Sequence, residues 1–68
     1  MYIYKIVIEK DPENEVYEQI FWKSDKATEC AKQLESETGC RCVVYKEIND
    51  QVTGSFVTLC QIEFNHIV

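Results

Sequence analysis

The chain has 68 residues, seven basic and twelve acidic, for a formal net charge of −5. That length holds one domain, and a hydrophobic share of 46% with only two Gly and one Pro excludes a disordered or low-complexity chain. The negative balance argues against binding nucleic acid by phosphate neutralisation, and no apolar run approaches a membrane span.

The first segment, MYIYKIVIEK, places Lys5 inside a short apolar run and does not resemble a secretory leader. The expected compartment is therefore cytoplasmic, where the four cysteines would be thiols. Residues 2–9 alternate as a first strand, with Tyr4, Ile6 and Ile8 on one face and Ile3, Lys5, Val7 and Glu9 on the other. Asp11-Pro12 in the charged stretch that follows predicts a type I turn. A second strand is expected over 16–23, VYEQIFWK, and both of its faces carry apolar groups. Val16, Ile20 and Trp22 are assigned to the helix side, because Trp22 lies just before the helix; Tyr17 and Phe21 then face away. A slip of one residue would reverse that assignment.

The stretch from Ser24 to Gly39 reads as the single helix, with its body at about 24–38. Ala27, Cys30, Ala31, Leu34 and Thr38 fall on one stripe of a 3.6-residue period. Ser24 is the expected N-cap, Asp25 complements the dipole, and Gly39 is the expected left-handed terminator. Small residues around one Leu predict close approach to a sheet. Residues 40–48 read as a third strand, with Cys40, Cys42, Val44 and Ile48 facing the helix. The turn residues of Asn49 to Gly54 lead into a fourth strand over 55–64, in which Phe56, Thr58, Cys60 and Ile62 share the helix side. Residues 65–68 are expected to be a short tail, with His66 exposed on it. The fold class is α+β: a single domain, 1–68, of ββαββ order, with a four-stranded, mainly antiparallel sheet and the helix on one face.

One helix covers one face of such a sheet. The other is expected to show Ile3, Val7, Tyr17, Phe21, Val43, Tyr45, Val57 and Leu59, broken by Lys5, Gln19, Arg41 and Gln61. Monomers rarely expose an apolar patch of that extent, and Tyr, Phe and Arg with few acids is the composition of an interface centre. Glu9, Asp11, Glu13, Glu15 and Glu18 form an acidic hairpin tip. The tip keeps the edge from pairing with strangers or docks into a basic groove, where complementary charge speeds association. It lacks the Gly and bidentate Glu of a calcium loop.

The cysteines Cys30, Cys40, Cys42 and Cys60 are read as small hydrophobes at the helix–sheet interface. Cys40 and Cys42 lie about 7 Å apart on one strand face, which is wide for one zinc ion. A Cys30–Cys42 disulfide is the alternative in an oxidising compartment. His66 has no nucleophile or carboxylate at a spacing that builds a catalytic pair, and no glycine loop cradles phosphate. No cofactor or metal is expected, and no catalysis.

The expected function is that of a small acidic non-enzymatic binding module, an inhibitor or adaptor that occludes a partner protein. Tyr17, Phe21 and Tyr45 are the expected anchors, Arg41 a polar clamp, and Glu13 and Glu15 the contact to a basic surface. Size, charge and one sticky face match the class of protein with which phages and mobile elements block host enzymes, anti-restriction and anti-CRISPR inhibitors among them. The second reading is a structural homodimer through the uncovered sheet face. A third, against the charge balance, is a single-stranded nucleic-acid platform on which Tyr17, Phe21 and Tyr45 stack bases beside Arg41.

Overall fold

The computed structural model describes residues 1–68 and has the expected ββαββ order. Strand β1 spans Tyr2–Glu9, β2 Asn14–Val16, helix α1 Ser24–Thr38, β3 Arg41–Asn49 and β4 Phe56–Ile62. The four strands form one antiparallel sheet in the order β2-β1-β3-β4. No helix is long and apolar enough to cross a membrane.

β1 and β3 are the centre of the sheet and pair along their whole length, from Tyr2 opposite Ile48 to Glu9 opposite Arg41. This register sets Ile6 beside Val44 and Ile8 beside Cys42, and the helix lies on these two strands. Ala27 and Ala31 let it approach closely, and with the four sheet residues they form the buried core. Ile6 and Val44 are fully buried, each worth roughly 1.5–3 kcal/mol of transfer free energy. Gly39 takes the expected left-handed conformation, φ 72°, and its N–H donates to the Glu35 carbonyl at 2.9 Å. The N-cap position, however, belongs to Lys23, in extended backbone and without a side-chain cap bond; Ser24 is already helical. Asp25 does occupy the first turn.

The second strand departs most from expectation. Val16 pairs with Val7, Tyr17 N–H donates to the Ile6 carbonyl at 2.8 Å, and regular pairing then stops. It resumes at a single bridge between Phe21 and Tyr4. Three residues, Glu18 to Ile20, therefore stand opposite Lys5 alone and bow outward as a wide bulge. The register places Val16 on the face away from the helix, and Tyr17 and Phe21 pack against the core. The side assignment is thus reversed: Ile20 and Trp22 are exposed. The slip is one residue, and it inverts the whole set. The Asp11–Pro12 bond is cis where a type I turn was expected.

A second irregularity lies in β4. Cys60 pairs with Lys46 but Thr58 pairs with Glu47, so Leu59 is an extra residue. Beyond it the alternation inverts: Thr58 and Phe56 join the outer face, and Val57 falls on the helix side opposite Ile48. The Asn49–Gly54 turn is closed by Asp50 and Ser55 backbone bonding at 2.7 Å, with Val52 N–H donating to the Asp50 carboxylate.

The outer face is accordingly not a continuous open apolar patch. Ile3 and Val43 are only 4% exposed, and its centre holds a buried acid, Glu47. The Glu47 carboxylate accepts from Lys5 Nζ at 2.9 Å and from Thr58 Oγ1 at 2.6 Å.

Substituting Gly39→Ala tests the helix stop. The new Cβ meets nothing within 4 Å, so the cost is the left-handed conformation alone. The expected loss is about 1 kcal/mol, or roughly 4–8 °C in Tm, measured by thermal and urea unfolding.

Candidate functional site

Two arrangements carry the chemistry of this molecule: a buried carboxylate latch at the C-terminus and an exposed strip beside the bulge. Ala27, Ala31 and Glu35 recur every four residues on the helix, so Glu35 continues the apolar stripe and turns inward. It is fully buried. Its Oε2 accepts from Cys42 N–H at 2.9 Å and from His66 Nδ1 at 2.6 Å, and Oε1 accepts from Ile67 N–H at 2.9 Å. One carboxylate thus joins the helix, the first residues of β3 and the segment after β4. His66, expected exposed, is mostly buried, its ring 4.2 Å from that of Phe64.

Burial pushes the Glu35 carboxyl up, but the bonds from Cys42, His66 and Ile67 outweigh it and hold the group below its ordinary 4.5. Since an ionised carboxylate only accepts, Nδ1 of His66 carries the shared proton. Carboxylate and imidazole Nδ1 are two parts of a nucleophile-activating relay. Cys42, whose N–H bonds the same carboxylate, has a buried thiol whose pKa is pushed up to about 11 by burial and the Glu35 charge, which disfavours the thiolate. Glu47 repeats the pattern on the outer face, where Thr58 and Lys5 outweigh burial and hold its pKa down.

The cysteines do not gather. Cys42 is buried, Cys30 and Cys40 are half-buried, and Cys60 is exposed, contrary to its expected place in the interface. Burial raises the Cys30 pKa, and Tyr17, next to that thiol, is raised in turn. No group of three His, Cys, Asp or Glu side chains is placed to hold a metal ion.

The expected partner-binding residues are divided by the fold. Tyr17 and Phe21 are half-buried, each packing against the core while lining the edge of a surface concavity. Tyr45 is half-buried and Arg41 exposed on the outer face, opposite Lys5 and Glu9 of β1. Glu13 and Glu15 are exposed at the acidic tip, where Glu15 bonds Lys10. The residues that take the place of Tyr17 and Phe21 are Ile20, 50% exposed, and Trp22, 64% exposed. They line a shallow groove with Gln19, Phe21, Lys23 and Lys26. A second concavity runs from Glu15 to Gln19, so the two join at Gln19 into one strip from acidic to basic.

Glu35 reads from the sequence as one of the polar residues filling the helix's other faces, and its burial beside Ala27 and Ala31 corrects that. His66, the sole histidine, offered a partner. Nothing in the sequence indicates that the two meet across 31 positions. Comparison with protein-family models, curated proteins and solved structures finds no match for this chain.

The depressed Glu35 and Glu47 carboxyls make folding pH-dependent. Their contribution is fully present above the ordinary value of 4.5 and is lost as pH falls through the lower folded values. Urea midpoints should therefore fall steeply on acidification below 4.5, and Glu35→Gln should start lower at neutral pH and show a shallower fall. Thiol titration provides a second check. Cys60 should react first with a disulfide reagent, a phase removed by Cys60→Ser, and Cys42 only on unfolding.

Proposed function

We propose that this chain is a non-enzymatic protein-binding module, an inhibitor or adaptor that acts by occluding its partner. The observation that carries the reading is the exposure of Ile20, at the end of a bulge held between two points of backbone pairing, and of Trp22, next to the bridge that closes it. Trp is the residue type most enriched among interface hot spots. Holding it out costs apolar burial in a domain whose core is small. The charged ends of the strip, Glu15 and Glu18 on one side and Lys23 and Lys26 on the other, with Glu13 just beyond at the acidic tip, give a partner an orientation. Compared with the sequence-based expectation, the anchors move from Tyr17 and Phe21 to Ile20 and Trp22, and the acidic contact stays. An anti-defence inhibitor that blocks a host enzyme is the specific form this function would take.

The test is capture of a partner from the cells in which the chain is made, followed by titration of the purified pair. Trp22→Ala should weaken binding by about 2 kcal/mol, roughly thirtyfold in Kd, and Ile20→Asp with Trp22→Ala should abolish it. Both residues are exposed, so circular dichroism should stay native. Equal binding by the double variant would sink the reading.

A further inference from the structure

The two edges of the sheet are not alike. The β2 edge is three residues long, interrupted by the bulge, and flanked by the acids of the tip. These are the devices by which proteins keep an edge from pairing. The β4 edge has seven residues, FVTLCQI, with no charge and no proline. Its backbone bonds only to β3, so the groups on the far side of the strand have no partner. Phe56, Val57 and Leu59 are each about half exposed along it. The helix rests mainly on β1 and β3, and of β4 only Ile62 packs against the core beneath it.

We propose that the free edge of β4 pairs antiparallel with β4 of a second copy, joining two four-stranded sheets into one continuous sheet. A second copy is favoured by charge placement. Each chain carries −5, which opposes self-association, yet the edge strand itself is uncharged. The acids Glu9 to Glu18 cluster at the opposite edge, three strands away. At about 4.8 Å per strand the two tips of the joined sheet lie on the order of 30 Å apart, several Debye lengths at physiological salt. An antiparallel pair of identical strands is also self-complementary about a two-fold axis. A bulge at Leu59 is the one blunting feature that β4 shares with the β2 edge; it sits in the middle of the strand, so a two-fold pair centred on it bends both copies alike. Val57 on one face and Phe56 on the other would each gain cross-strand neighbours. The inference does not rest on the binding-module reading: the Ile20–Trp22 strip lies toward the other edge and stays open in the dimer.

Sedimentation equilibrium of the reduced protein decides the matter. The expected mass is concentration-dependent and approaches twice the 8.0 kDa of the chain. Leu59→Lys and Val57→Lys, both at exposed positions, should be monomeric with native circular dichroism, and Tyr45→Asp on the outer face should leave the dimer intact. A short bismaleimide should join two wild-type copies through the exposed Cys60 and fail on Cys60→Ser. A wild-type monomer at millimolar concentration would overturn the proposal. So would a dimer that survives both lysine variants, one that Tyr45→Asp dissociates, or a dimer in which Cys60 does not crosslink.

Discussion

A single buried carboxylate ties this domain together. Glu35 satisfies the first buried amide of β3 and, through His66 and Ile67, fastens the chain end beneath the helix. A charge taken out of water costs several kcal/mol unless its lone pairs are used, and three donors use them here. The arrangement is therefore cooperative: helix, central strand and C-terminal segment must be in place together for the burial of Glu35 to be favourable. In a chain of 68 residues, where only eight apolar side chains are buried, such a link has unusual weight. It belongs to a pair, since Glu47 does the same for Lys5 and Thr58 on the outer face.

Around that frame, two bulges decide what the molecule shows to solvent. The outward bow of Glu18 to Ile20 keeps Tyr17 and Phe21 on the core side and exposes Ile20, and Trp22 is exposed just past the Phe21 bridge. The extra residue Leu59 turns Thr58 toward Glu47 and Val57 toward the helix side. A regular sheet with the same sequence would have a different outer face. The acids collect at one edge and the uncharged strand at the other, so the two edges have opposite relations to a neighbouring chain: one repels or docks on basic surface, the other offers bare backbone.

The candidate site was only half readable. Glu13 lies in the charged turn as expected, whereas Glu15, read as part of that turn, is already in β2 opposite Ile8; both are exposed. Tyr17 and Phe21 were misplaced because both faces of 16–23 are apolar, and a period of two says which residues share a face but not which face is inward. Cys60 was placed with the interior by alternation and propensity, but it is exposed on the edge strand, where only Ile62 packs against the core. His66 lacked any local signal, since its partner is on another element.

By itself, the sequence determined the element order, the extent of β1 and the helix, the glycine stop at Gly39, and the pairing of the Ile6–Ile8 face with Val44 and Cys42. These follow from local periodicity and backbone preference, which act within a few residues. Tertiary structure alone decided the inward face of the second segment, the position of the β4 bulge, the burial of Glu35 and the capture of His66. Each of these is a competition between distant groups for the same small volume, settled by which side chains fill the core and which donors reach a buried charge.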